Sequence, residues 1–331
     1  MSMSTIDQTS APKGAPTVSV VIPAYKVAPF IRETLDSVFA QTFTDFETIV
    51  INDDSPDTPQ LEEALESYRN RIVYLKQPNR GAGAARNAGL RAARGEYVAF
   101  LDGDDMWLPE FLTEQLKLIR SDAGFDLAYA DAINFGERGY DRATNMAHNP
   151  SHGKVTFLKL LCGQCSIVTS TVLARREPIM KVGCFNEHFV NSQDFDLWLR
   201  LAKDRNAKMT YQQKVLARRR IYRGSLASDP LRSFGGELAV LNSMRGRDDL
   251  TQAEREALEN TLRKRQATVE VLKGKQELGV GHFKEAAESF AEANRNWPSK
   301  KLDVVLFCMR FAPRVLQRVY QLRRTYLRPL H

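Results

Sequence analysis

Four short apolar runs set the strongest constraint on the fold of this chain: VSVVIPA (18–24), FETIVI (46–51), RIVYL (71–75) and YVAFL (97–101). Between them lie segments of helical character. Residues 29–40 open with Pro29 and place Phe30, Leu35, Val38 and Phe39 near one helical face. Residues 59–69 also open with proline, and GAGAARNAGLRAARG (81–95) is a small-residue helix after a glycine turn. Strand alternating with helix four times predicts a mostly parallel, Rossmann-like α/β sheet with helices on both faces. Such sheets bind ligands beyond the carboxyl ends of their strands.

Two of those ends are acidic. YVAFL runs into Asp102, Asp104 and Asp105 within FLDGDDMWLP, and the second strand runs into NDDSPD (52–57). Carboxylates crowded at the end of a buried strand repel one another and lose hydration. A divalent cation between them is the simplest explanation. The topology predicts that Asp53 and Asp102 meet in one crevice.

The chain has 331 residues, 43% of them apolar, enough for one large domain with an appendage or for two domains. It has no uncharged apolar run of membrane-spanning length. The leader MSMSTIDQTSAPKGAPT lacks a signal-peptide core, so residues 1–16 are expected to be disordered and the protein cytoplasmic. Cys162 and Cys165 have redox or half-zinc spacing, but no second pair follows, and incidental thiols are the better reading.

The net charge of +7 resides in the tail. Residues 300–331 carry eight basic side chains and one acid, Asp303, leaving residues 1–299 formally neutral. The acidic cleft and the lack of a recognition motif argue against nucleic-acid binding.

Further along, a helix is expected over 109–120, a strand over 125–130, irregular chain from 135, and a strand over 165–173 before Arg175-Arg176. A short helix over 195–203 follows Gln193-Asp194, and the run Arg218-Arg219-Arg220 leads into the loop IYRGSLASDP. The expected layout is a catalytic domain over 17–230, a helical extension over 231–299 with one tetratricopeptide-like hairpin (272–298), and basic amphipathic helices over 300–331, interrupted at Pro313.

The ordered motifs of residues 17–225 resemble the family 2 nucleotide-sugar glycosyltransferases of GT-A fold. The resemblance implies an inverting, Mn²⁺- or Mg²⁺-dependent transferase using a nucleotide-sugar donor, most simply a UDP-sugar. It implies that Pro23, Ala24 and Tyr25 line the nucleotide, that Asp53 receives the base N3–H, and that Arg86 borders the pocket. Asp102-Gly103-Asp104 matches the DxD element, with Asp102 toward the ribose or metal water shell, Asp104 as metal ligand and Asp105 as a brace. Asp194 matches the general base, although Gln193 stands where the family usually has glutamate. Helix capping is the bland alternative for Asp194. In ARRRIYRGSLAS (217–228), Arg220 and Ser225 match the family loop while Tyr222 replaces its histidine, a poor exchange for a metal ligand. Arg220 or Arg223 is then the candidate for the diphosphate. Arg175 and Arg176 could support substrate phosphates or stay in water. Trp107 and Trp198 are candidate sugar platforms or packing residues.

The implied acceptor is a bacterial surface glycan or a lipid-linked glycan. A polyprenyl-phosphate transferase and a non-catalytic sugar-nucleotide-binding scaffold are the alternatives. The tail either packs on the protein or touches a membrane peripherally, at its inner face.

Overall fold

The computed structural model describes residues 14–136, 144–225 and 228–326, with side chains described as far as Leu322. Residues 1–13 of the leader and Arg328 lie outside these residues. The chain forms two compact units that divide after Arg220.

The first unit runs β1 (Val18–Ala24), α1 (Ile31–Phe39), β2 (Phe46–Asn52), α2 (Thr58–Leu65), β3 (Val73–Lys76), α3 (Gly81–Ala92) and β4 (Tyr97–Phe100). It continues with β5 (Met106–Trp107), α4 (Phe111–Ile119), β6 (Phe125–Gly136), α5 (Asn145–His148), α6 (Phe157–Leu161), β7 (Val172–Arg175), α7 (Arg176–Lys181), α8 (Gln193–Asp204) and β8 (Lys208–Ile221). One sheet holds the strands in the order β3-β2-β1-β4-β7-β6-β8-β5.

The four apolar runs form the parallel half. β1 pairs parallel to β2 and β4, and β2 parallel to β3. Val18, Val20, Val21 and Ile22 are fully buried, as a strand covered on both faces requires. The small residues of α3 permit a close approach to this half. A Cβ on Gly89 would meet Val21 Cγ1 at 2.4 Å and Ile51 Cδ1 at 2.9 Å.

The second half is antiparallel: β7 pairs with β4, β6 with β7, and β5 with β8. Two expectations change here. The strand expected over 165–173 begins only at Val172, because Thr169–Thr171 form a 3-10 turn. The arginine run Arg218-Arg219-Arg220 lies in the 14-residue strand β8, and the expected loop begins after Ile221. Charge hid the strand. Arg218 and Arg220 both stack on Phe135, at 4.5 Å from the ring centroid, so cationic side chains occupy positions where periodicity seeks apolar ones.

The second unit contains α9 (Pro230–Met244), α10 (Gln252–Val280), α11 (Phe283–Asn296), α12 (Lys300–Phe311) and α13 (Pro313–Tyr326). Thr251 and Glu254 form a capping box that starts α10, and Gly281, at φ 92°, ends it in the left-handed conformation. Helices α10 and α11 make the expected hairpin. Gly274 gives room to the Phe290 ring, whose atoms lie 2.8–3.0 Å from where a Cβ would be. Around that contact, Leu278, Ala286, Phe290 and Met309 form a core joined by Leu302, Val305, Leu306, Leu316 and Tyr320 of α12 and α13.

Candidate active site

Strand register brings the acidic ends together. Ala24 pairs with Asn52 and Val21 with Phe100, so β1 lies between the strands that lead to Asp53 and to Asp102. Asp53 N donates to Ala24 O at 3.2 Å, and Leu101 N to Val21 O at 3.1 Å. Beyond β1, Pro23 and Ala24 sit in the strand, while Tyr25 is exposed in the following turn. Ser55 Oγ accepts from Lys26 N at 2.6 Å, which ties the turn after β1 to the NDDSPD loop.

Asp53 is buried, and its carboxylate already accepts three hydrogen bonds: from Gln77 Nε2 at 2.7 Å, Arg80 N at 3.0 Å and Gly81 N at 2.8 Å. Two of those donors are main-chain amides at the start of α3, so Asp53 anchors the N-terminus of that helix. A carboxylate offers about four lone-pair directions, leaving roughly one for a ligand.

Asp102 emerges from β4 half-exposed, paired with Arg86 at 2.5 Å. Arg86 is itself buried, so its role is to hold Asp102, and its Nε is left without a protein partner. Neighbouring Asn87 clasps the main chain of Phe185, donating to its O and accepting from its N, both at 2.9 Å.

Asp105 turns inward. It accepts from Ser170 Oγ at 2.6 Å and from Arg220 N at 2.8 Å. Burial, then the negative charges of Asp104 and Asp102, push its carboxyl well above the usual range. Arg220 completes the brace. Its Nε donates to Asp104 O at 2.9 Å, its Nη2 to Glu33 at 2.9 Å, and its guanidinium lies over Phe30 and Phe135. In this arrangement the Arg220 side chain braces the DxD loop.

Asp194 is the second residue of α8, not its N-cap, which is Ser192. Thr169 Oγ1 donates to Asp194 Oδ2 at 2.6 Å, and Phe195 N donates to Oδ1 at 2.8 Å. Asp196, two positions further, pairs with Arg200. Gln193 is buried, donates to Val190 O at 2.7 Å, and packs its methylenes against Gly83. It wedges α8 onto α3.

Sequence reasoning missed Thr169 and Ser170. The signal was present: three hydroxyl residues in IVTSTVLA, all buried in the fold. Ser170 Oγ also accepts from Asp102 N at 3.2 Å, and Ser170 O accepts from Trp107 Nε1 at 2.7 Å. Consecutive Cα atoms lie about 3.8 Å apart, so this turn places Asp194 and the DxD loop side by side.

The remaining candidates have these places in the fold. Trp107 is 3% and Trp198 2% exposed. Trp107 stacks on Phe111 at 4.1 Å, and Trp198 packs among Phe100 and Phe185, so both are core residues with no face for a sugar. Arg175 pairs in register with Tyr97, at the end of β4 opposite Asp102, and Arg176 donates to Gly95 O, so neither reaches the cluster. Tyr222 and Arg223 belong to the second unit, where Ser225 N donates to Tyr222 O at 3.0 Å. Cys162 and Cys165 are free thiols.

For a metal, the donor chemistry fits a hard divalent cation. Asp102 and Asp104 offer oxygens at one loop, and their charges already burden Asp105. Among the described residues, no group of three or more His, Cys, Asp or Glu side chains could close a site. A cation held by Asp102 and Asp104 would need further ligands beyond these carboxylates.

The profile described as "Glycosyl transferase family 2" matches residues 19–183. The chain is 30% identical over 218 residues to an uncharacterized glycosyltransferase of Rickettsia felis, covering 62% of this chain and 34% of the relative. It thus spans about a third of the length of the first curated relatives it matches. It is 29% identical over 228 residues to the Escherichia coli UDP-Glc:alpha-D-GlcNAc-diphosphoundecaprenol beta-1,3-glucosyltransferase WfgD, covering 68% of this chain and 85% of that one. Among solved structures, S. aureus TarS 1-349 in complex with UDP-GlcNAc matches at TM-score 0.59 and 19% identity, over 95% of this chain and 93% of that one. The mannosyltransferase PcManGT from Pyrobaculum calidifontis, in complex with GDP-Man and Mn²⁺, matches at TM-score 0.60 and 16% identity, over 98% and 92%. These two share the fold, the GT-A arrangement of a curled sheet with helices on both faces. The sheet, the ordered motifs and the profile agree, and the chain belongs to glycosyl transferase family 2.

Proposed function

We propose that this chain is a metal-dependent inverting glycosyltransferase that moves a sugar from a UDP-sugar to a hydroxyl of a bacterial glycan or lipid-linked glycan, with Asp194 as general base. The observation that carries the reading is the Thr169-Ser170 turn, which joins Asp194 to the DxD loop through 2.6 Å hydrogen bonds on each side. The activity of the relative WfgD supports a UDP-linked donor and a lipid-linked acceptor.

The nucleotide side comprises Tyr25, Asp53 and Asp102 at the strand ends. Arg86 and Ser170 hold Asp102 from its side chain and its main chain, so the carboxylate meets the donor in one orientation. Asp104, with Asp102 beside it, would hold a Mn²⁺ or Mg²⁺, which would supply neutralisation of the departing diphosphate. On the opposite side, Asp194 takes the proton from the acceptor hydroxyl as its oxygen attacks the anomeric carbon. Attack opposite the phosphate inverts that centre. Thr169 fixes Oδ2 and the Phe195 amide fixes Oδ1, so the base is aimed before the acceptor arrives. In the same reading, residues 300–331 touch the membrane that carries the acceptor.

The test is turnover of a panel of UDP- and GDP-sugars with Mn²⁺, against lipid-diphosphate sugar acceptors. Release of UDP that depends on acceptor, with inversion seen by NMR, supports the reading. Tight nucleotide binding without turnover on any acceptor points instead to a scaffold.

A further inference from the structure

Helices α12 and α13 each present two apolar faces. Leu302, Val305, Leu306 and Met309 of α12, with Leu316 and Tyr320 of α13, pack into the core formed by α10 and α11. The other face remains in solvent. Val304, Phe307 and Phe311 follow an i, i+3, i+7 spacing, and Val315, Val319 and Leu322 an i, i+4, i+7 spacing, all between 46% and 66% exposed. Those spacings make one stripe on each helix. Isolated exposed apolar residues are ordinary, but a stripe on each of two consecutive helices is an interaction surface. The Phe307 and Phe311 rings lie together, 4.8 Å between centroids, with the Arg310 guanidinium 5.4 Å from Phe311.

Charge identifies the occupant. Arg310, Arg314 and Arg318 are exposed beside the stripes, and Lys300 and Lys301 begin α12. The one acid of the segment, Asp303, accepts from Asn294 Nδ2 at 2.8 Å. A second copy docking symmetrically would set these cations against their own counterparts. An anionic bilayer accepts them, while the valines, leucine and phenylalanines enter the acyl boundary.

We propose that the outer stripes of α12 and α13 form an interfacial docking surface for an anionic lipid membrane. This rests on the lipid-linked acceptor reading for its purpose but is measured without donor, acceptor or metal. The experiment is sedimentation of the full chain with vesicles of phosphatidylcholine alone or with phosphatidylglycerol. Two variants accompany it: Phe307→Ser with Phe311→Ser, and Arg310→Gln with Arg314→Gln and Arg318→Gln. Val304, Val315, Val319 and Leu322 stay native in both variants, and circular dichroism verifies the fold. Anionic lipid is expected to raise binding about tenfold, and each variant to lose about that factor. Equal binding to both vesicle types, or variants that bind like the parent, overturns the proposal. So does a dimer in analytical ultracentrifugation that the Phe307→Ser, Phe311→Ser variant abolishes, because the stripes would then serve a second copy. Sugar transfer that persists while vesicle binding fails would leave the enzymatic reading standing and remove only this one.

Discussion

The hydroxyl of Thr169 donates to Asp194 Oδ2 at 2.6 Å, across 25 residues of sequence. Its neighbour Ser170 donates to Asp105 at the same distance. One 3-10 turn therefore fixes both the proposed base and the loop that carries the DxD motif. Hydrogen bonds from neutral hydroxyls to carboxylates are charge-assisted, and they pre-orient the acids without neutralising them.

Asp194→Asn keeps the shape of the site but removes the proton acceptor. Turnover is expected to fall by about 10²–10⁴ with donor binding retained, as general-base catalysis contributes on that scale. Steady-state transfer beside calorimetric donor binding checks it, and intact transfer would remove Asp194 from the mechanism.

Thr169→Val keeps volume and removes the donor to Asp194. The expected result is a kcat lower by about tenfold with the KM for donor nearly unchanged, since only the aim of the base is lost. Rescue by Thr169→Ser separates a positioning role from one in packing.

Asp104→Ala is expected to abolish the dependence of donor affinity on Mn²⁺, and chelation is expected to stop turnover of the parent protein. Calorimetric titration of UDP with and without Mn²⁺ reads both. Donor affinity that remains Mn²⁺-dependent in the variant would place the ion on other residues.

Asp105 links the site to stability. Its carboxyl is raised in the folded chain, by burial first and then by Asp104 and Asp102. The folded state therefore binds the proton more tightly than the unfolded state. This contribution is fully present below the unfolded value near 3.8 and is lost as pH rises through the raised one. Asp105→Asn removes that dependence. Thermal melts in EDTA should show the variant gaining on the parent as pH increases from 4 to 8, and a constant difference would contradict this.

Gly89→Ala drives a methyl group into Val21 and Ile51, at 2.4 and 2.9 Å. Overpacking of this kind costs about 1–3 kcal/mol. Urea denaturation should show a lower midpoint with an unchanged slope, whereas an unaffected midpoint would mean that α3 can lift from the sheet.

Much of the parallel half was legible from the chain itself. Buried β-branched runs such as VSVVIPA have few alternatives to a central strand, and the helices between them carry proline starts and small-residue faces. The crowding of Asp102, Asp104 and Asp105 marked this loop as a candidate cation site, and the motif order carried the family. The antiparallel half was less legible, because β8 satisfies its cationic side chains on Phe135 and so shows no apolar alternation.

What only tertiary structure decided is which partner each of these residues holds. Asp53 anchors α3 through the Arg80 and Gly81 amides, Arg86 holds Asp102, Arg220 braces Asp104 and Asp105, and Trp107 and Trp198 fill the core. Residue type sets what a side chain can donate or accept. The pairing of distant strands, here β7 against β4, decides what stands within 3 Å of it, and that is how the plain sequence TST came to lie between the two acids of the site.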